Sequence, residues 1–331
     1  MDVQGRKIFV GLSGGVDSAV SAALLQQAGA QVTGVFIKGW YPPGMPCTWA
    51  ADRRDAMRVA ARLRIPFRTL DASSAYKHGV IDYLLSEYRA GRTPNPDVMC
   101  NREVKFGAFY RYAIEQGSDA IATGHYRGGE KDQSYFLWAV PKEALADTVF
   151  PVGHMAKTDV RILAKKFNVP VAQKRDSQGV CFLGSVSIDE FLRSEFGEAP
   201  GHALDEAGNV VGTHDGVLLH TIGARVALKG AAPGPWFVRA KDVERNEIVV
   251  GIGKSLHTPR GSGSISFSSA NWIGEAARAT EIQYRYRGPV LSGHIEHDRF
   301  VSDVPIPEIP APGQSIVFYR GDELIGGGII V

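Results

Sequence analysis

The sequence predicts an α/β protein with an open, mostly parallel sheet, followed by a small central domain and a terminal β-barrel. Three observations predict it. From residue 6 to about 185, short apolar runs alternate with stretches of helical apolar spacing, the pattern of a sheet covered by helices on both faces. After residue 200 this alternation stops, and glycine, proline and short β-branched runs take over. The end of the chain, including Gly293-His294-Ile295-Glu296-His297 and Glu323 to Val331, reads as repeated short strands and turns, which suits a small barrel. A chain of 331 residues with 44% hydrophobic content can bury a sizeable core in about two to three domains. The expected boundaries are 1–187, 188–255 and 256–331.

Each element is justified by local pattern. Apolar runs at Ile8–Val10, Val32–Ile37, Phe67–Leu70 and Ala120–Thr123 predict the strands of the sheet. Between them, Asp17–Gln27, Ala51–Leu63, Val80–Ala90 and Lys105–Gln116 carry apolar residues at helical spacing, with Gly29 and Gly117 placed as carboxy-terminal stops. Lys157–Phe167 and Asp189–Phe196 predict two more helices. Val217–Leu219, Trp236–Val238, Ile248–Val250 and Ser264–Phe267 are short strand candidates.

Composition excludes several classes. No apolar run reaches the roughly 18 to 20 residues of a membrane span, and the amino terminus lacks the regions of a signal peptide, so a cytoplasmic protein without a membrane partner is expected. Cys47, Cys100 and Cys181 are too few and too dispersed for a disulfide scaffold, so any cysteine that matters acts by chemistry. The net charge of +2 does not by itself announce a nucleic acid. Basic and aromatic residues do mix at Arg102, Lys105, Phe106, Tyr110, Arg111 and Tyr112, and at Tyr284-Arg285-Tyr286-Arg287, a mixture suited to phosphate contact and base stacking or to an ordinary solvated face.

Three segments carry chemistry. Gly11-Leu12-Ser13-Gly14-Gly15-Val16-Asp17-Ser18 leads from strand to helix, where glycines allow close backbone approach and the helix start faces an anion. It matches neither the lysine-bearing phosphate loop nor the dinucleotide fingerprint, and resembles instead the pyrophosphate loop of the N-type ATP pyrophosphatases. In Gly91-Arg92-Thr93-Pro94-Asn95-Pro96-Asp97-Val98-Met99-Cys100, the two prolines predict an extended loop until after Asp97. Cys100 is then placed near a helix start that favours thiolate, with Asp97 three residues before it; a buried core cysteine is the alternative. The stretch from Lys174 to Gly184 puts Cys181 in a glycine-bounded loop beside two cations.

Together with Ala122-Thr123-Gly124-His125-Tyr126, Lys131-Asp132-Gln133-Ser134-Tyr135-Phe136, Asp176-Ser177-Gln178-Gly179-Val180-Cys181-Phe182 and Tyr284-Arg285-Tyr286-Arg287, these segments span nearly the whole chain. In that order they resemble the tRNA-specific 2-thiouridylases, which replace the C2 oxygen of the wobble uridine by sulfur. The resemblance implies an adenine nucleotide alpha hydrolase-like catalytic domain. It implies ATP with Mg²⁺, held by Gly11, Leu12, Ser13, Gly14, Gly15, Val16, Asp17, Ser18, Ile37 and Gly124. It assigns Asn95, Pro96 and Asp97 to the target base, and Lys131, Asp132, Gln133, Arg285 and Tyr286 to tRNA. Cys100 matches the family's nucleophile and Cys181 its persulfide-bearing cysteine, loaded by a sulfur-donor protein, with Asp97 as proton shuttle. A monomer without a resident metal is expected.

Two departures stand out. Only Arg127-Gly128-Gly129-Glu130 separate Tyr126 from Lys131, where the family carries a longer insertion, and Gly223-Ala224-Arg225 lacks the Gly-Leu that usually comes after it. Two alternatives stay open: an iron-sulfur cluster on Cys47, Cys100 and Cys181, disfavoured by the absence of close Cys-X-X-Cys spacing, and a non-catalytic tRNA-binding protein.

Overall fold

The computed structural model describes residues 2–44, 49–129, 131–175, 186–253, 263–308 and 310–331. Cys47 and Cys181 lie outside the described residues, as does the stretch 176–185. The chain forms two compact units, residues 1–81 with 96–185, and residues 82–95 with 186–331.

The first unit is built on β1 (Lys7–Gly11), α1 (Val16–Gln27), β2 (Gln31–Lys38), α2 (Trp49–Leu63) and β3 (Phe67–Asp71). A helical run comes next: α3 (Ser73–Tyr76), π-helical turns at Lys77–Asp82, and α4 (Tyr83–Arg89), the last of which belongs to the second unit. The first unit resumes with α5 (Pro96–Cys100), π-helical turns at Asn101–Ala108, α6 (Phe109–Glu115), β4 (Ala120–Ala122), α7 (Lys142–Ala146), β5 (Thr148–Val149) and α8 (Lys157–Lys166). Its sheet has the order β3-β2-β1-β4-β5, with every pairing parallel. The order reverses between β1 and β4, and ligands bind at such a switch point, beyond the carboxyl ends of the strands.

The sequence dictates how α1 sits on this sheet. Alanine and serine at Ser18, Ala19, Ser21, Ala22 and Ala23 leave it buried around most of its girth, so sheet and α8 both approach closely. Gly34 on β2 has no room for a Cβ because the Leu12 side chain fills that space. Gly29 stops the helix at φ +85, a left-handed conformation glycine adopts without strain.

Two expectations are corrected here. The helix expected to begin after Asp97 begins at Pro96, because proline in the first helical turn forfeits no intrahelical hydrogen bond. Val217–Leu219 is a 3₁₀ turn rather than a strand.

In the second unit, α9 (Ile188–Phe196) opens with a capping box, Ser187 and Glu190 bonding each other's backbone. Then come β6 (Gly201–Leu204), β7 (Val210–His214), β8 (Arg225–Val226), β9 (Trp236–Asp242) and β10 (Glu247–Ile252), ordered β7-β6-β10-β9-β8. A bridge between Thr213 and Lys229 joins the edges, curling the sheet around Ala203, Val226, Val238, Ile248 and Val250. The last strands, β11 (Ser264–Trp272), β12 (Glu281–Gln283), β13 (Leu291–Glu296), β14 (Arg299–Ser302), β15 (Ser315–Arg320) and β16 (Glu323–Ile330), form a closed barrel. Closure removes the unpaired edges of a small sheet, and Phe267, Phe300 and Phe318 fill its core.

Candidate active site

The loop after β1 and the loop after β4 meet at the switch point of the sheet. The Ser13 amide donates to Ser18 Oγ at 3.3 Å, Ser18 Oγ lies 3.1 Å from the Gly15 carbonyl, and the Gly15 amide donates to Ser13 Oγ at 3.3 Å. These bonds fold residues 13–18 back on themselves at the start of α1, where helix-end amides and the helix dipole favour an anion. Gly14 stands at φ +76, and a Cβ there would collide with the Asp52 carbonyl oxygen of α2. Gly124, after β4, packs so closely on the helix start that a Cβ would lie 2.9 Å from the Ser18 amide nitrogen and 3.1 Å from Asp17 Cβ. On the other side of Gly11, a Cβ would contact Ile37 Cδ1 at 3.8 Å and Phe109 at 3.6 Å. Gly11, Ile37, Gly124 and residues 13–18 therefore share one small volume.

Asp17 is the best-connected member of this loop. Its Oδ1 accepts a 2.7 Å bond from Tyr126 OH, and the Lys157 amine lies 2.6 and 2.8 Å from its two carboxylate oxygens. Sequence reading missed Lys157. The available signal was its position: a cation as the first residue of a helix opposes the dipole, a placement that asks for a local partner. Lys174, read in the sequence only as a cation beside Cys181, binds Asp52 and Asp55 at 2.8 Å each and so closes the far side of the glycine turn.

Asp97 and Cys100 sit on α5 three residues apart, on one face of the helix. Cys100 is buried, 3% exposed. Burial pushes the Asp97 carboxyl above its ordinary pKa, against the opposing pull of the Lys105 ammonium. Burial, reinforced by the same ammonium, holds His125 well below the ordinary imidazole value, so His125 is neutral near pH 7. His125 Nδ1 shares a 2.8 Å hydrogen bond with Thr123 Oγ1, and its ring lies 5.6 Å from that of Phe106. Lys105 thus links α5 electrostatically to the loop after β4.

The remaining expected residues are more dispersed. Asp132 accepts from the amide and hydroxyl of Ser134, and Gln133 Oε1 accepts from the Tyr126 amide at 3.0 Å, so both brace the shortened loop around Tyr126. Of the basic and aromatic cluster near residue 105, Phe106 is 1% exposed and so not open to a nucleic acid base, and Tyr110, partly buried, donates its hydroxyl to Asp147 at 2.6 Å. In the barrel, Arg285 is exposed and pairs with Glu308 at 2.5 Å, and the Arg287 guanidinium lies 5.2 Å from the Tyr286 ring centre. Among the described residues no helix is long and apolar enough to cross a membrane.

Three family profiles tile the chain. A tRNA methyl transferase HUP domain matches residues 6–185, a tRNA methyl transferase PRC-barrel domain residues 189–252, and an aminomethyltransferase beta-barrel domain residues 262–330. The chain is 42% identical to the tRNA-specific 2-thiouridylase MnmA of Pseudomonas aeruginosa over 354 aligned positions, covering 98% of this chain and 94% of that one. It is 40% identical to the protein of the same name from Akkermansia muciniphila, covering 97% and 98%. The corresponding protein of Shewanella putrefaciens is 41% identical, with 98% and 96% covered.

Proposed function

This chain belongs to the family of tRNA-specific 2-thiouridylases, and on that premise we propose how its residues carry out the reaction. The protein is an ATP-using tRNA sulfurtransferase. What favours a specific reading of the site is one arrangement: the folded Ser13–Ser18 loop and Gly124 meet at the carboxyl end of β1 and β4, while the desolvated Asp97 and Cys100 share a helix face electrostatically linked to it through Lys105.

A uridine carbonyl oxygen is a poor leaving group. Attack of O2 on the α-phosphate of ATP converts it into an adenylate and expels pyrophosphate, which residues 13–18 cradle with amides and hydroxyls. Asp17 offers one carboxylate at the loop, enough for a Mg²⁺ ion that takes its remaining ligands from phosphates and water; bound there, Mg²⁺ would neutralise charge on the departing pyrophosphate. Among the described residues no group of three or more His, Cys, Asp or Glu side chains could hold an ion by itself. Asn95, Pro96 and Asp97 position the base, and Asp97, whose pKa burial raises, serves as the proton shuttle.

Sulfur arrives as a persulfide on Cys181, loaded by a donor protein. Its terminal sulfur attacks C2 and AMP leaves; Cys100 thiolate then attacks the Cys181 sulfur, releasing 2-thiouridine and leaving a Cys100–Cys181 disulfide. In the variant route Cys100 first reduces the persulfide to hydrosulfide, which attacks C2, and the same disulfide results. An external thiol restores both cysteines. We assign Lys131, Asp132 and Gln133 in one unit, and Arg285 and Tyr286 in the barrel, to tRNA contact, and place the enzyme in the cytoplasm as a monomer.

The assignment is tested by Cys100→Ser and Cys181→Ser. Each is expected to abolish persulfide-driven thiolation with tRNA affinity retained, measured by nucleoside mass spectrometry and filter binding. Normal turnover in either variant removes that cysteine from the mechanism.

A further inference from the structure

Thr93 lies in a loop yet is only 8% exposed, and the terminal barrel is what covers it. The Thr93 amide donates to the Pro312 carbonyl at 2.8 Å. In return the Gln314 carboxamide donates to the Thr93 carbonyl at 2.7 Å, with the Pro94 carbonyl 3.5 Å away. Between them Gly313 stands at φ +91, and a Cβ there would lie 2.9 Å from both Arg92 Cβ and the Thr93 nitrogen. Only glycine permits that approach.

The holding side is rigid. Gly313 donates to the Ile330 carbonyl at 2.9 Å, and the Ile330 amide donates to the Gln314 carbonyl at 2.8 Å. Gln314 therefore projects from the open end of the β15–β16 hairpin, opposite its turn, and Ser315, Ile316 and Val317 next to it are buried. The held side is fixed further back by the central domain, where Tyr88 shares a hydrogen bond with Thr221 and Arg89 lies 5.5 Å over Phe196.

The residues immediately after Thr93 give this clasp its consequence. Pro94 and Pro96 each fix φ and restrict the residue before them, so Asn95 has little freedom of its own. The direction imposed at Thr93 and Pro94 carries into Asn95, the last residue of this segment of the unit.

We propose that Gln314 is a positioning residue for catalysis: by gripping the Thr93 and Pro94 carbonyls, the terminal barrel sets how Asn95, the next residue of the same unit, is presented to the target uridine. The proposal rests on the reading of Asn95 as a base contact. Gln314 touches no reacting atom; it acts through the backbone it holds.

The test uses the full-length enzyme with Gln314→Met, which removes both donors at similar volume, and Gln314→Glu, which opposes the carbonyls with oxygens. Both are expected to lower kcat at saturating tRNA about tenfold, the scale of a lost partly buried hydrogen bond. The dissociation constants for tRNA and ATP are expected to stay unchanged in the folded variants, while amide hydrogen exchange across residues 90–95 accelerates. Gly313→Ala, which wedges Arg92 and Thr93 from the other side, is expected to do the same. Wild-type kcat in all three folded variants overturns the proposal. So does a raised dissociation constant for tRNA with kcat intact, because Gln314 would then be a direct tRNA contact. Asn95→Ala run in parallel separates the two readings: if it turns over normally the base-contact assignment fails, and if it is inactive while the Gln314 variants are normal, only the positioning role fails.

Discussion

Lys157 and Asp17, 140 positions apart, form a two-pronged ion pair where the Ser13–Ser18 loop enters α1, with N–O distances of 2.6 and 2.8 Å. Lys157 is 15% exposed and Tyr126 OH shares the same carboxylate. A lysine at the first position of a helix works against its dipole by about 0.3–1 kcal/mol, a cost that the Asp17 carboxylate offsets. When a triphosphate enters, the same ammonium is placed to receive it.

Lys157→Met is accordingly expected to weaken ATP binding at least about tenfold, since it removes the cation placed to meet the phosphates. Lys157→Arg retains part of the affinity. Calorimetric titration with ATP checks this, and equal affinity for wild type and Lys157→Met would contradict it.

Gly124→Ala tests the closeness of the two loops. With the Ser18 amide nitrogen 2.9 Å and Asp17 Cβ 3.1 Å from the added methyl, one loop must move away from the other. The expected cost is about 1–3 kcal/mol of stability, as for other overpacked sites, together with a larger loss of ATP affinity. Chemical denaturation and nucleotide titration measure the two, and a variant with wild-type affinity would show that the loops do not form one site.

The pH behaviour of Asp97 is set by its burial. Because the folded-state pKa is raised, the protonated carboxyl stabilises the fold fully below the ordinary value of about 4, and that stabilisation is lost as pH rises through the raised value. Asp97→Asn is neutral at every pH, so relative to wild type it is expected to be more stable at pH 7 than at pH 4, while thiolation falls. Denaturant unfolding at the two pH values reads this directly; a larger relative stability at pH 4 reverses the sign and contradicts it.

Lys105 lowers the pKa of both Asp97 and His125. Lys105→Met is therefore expected to shift both titrations upward, monitored by NMR of the carboxyl and imidazole carbons. A shift at one group without the other would break the electrostatic link between α5 and the loop after β4.

The strand, glycine turn and helix of residues 7–27 were legible in the sequence because their signals are local: apolar runs, paired glycines and small helix residues. The start of α5 was misplaced because Pro96 was read as excluding helix, whereas the first turn accepts it. Lys157 with Asp17, and Gln314 with Thr93, join residues 140 and 221 positions apart, and no local period encodes such pairs. The π-helical turns after α5 were hidden for another reason. Their apolar residues, Val104 and Phe106, suit an ordinary helix as well.

The most direct test of the account is nucleoside mass spectrometry of unmodified tRNA incubated with the purified protein, Mg-ATP and a persulfide donor. The account predicts 2-thiouridine at the wobble position, with AMP and pyrophosphate released in step with it. Tight tRNA binding without AMP release or any thiolated nucleoside would contradict it and leave a tRNA-binding protein in its place.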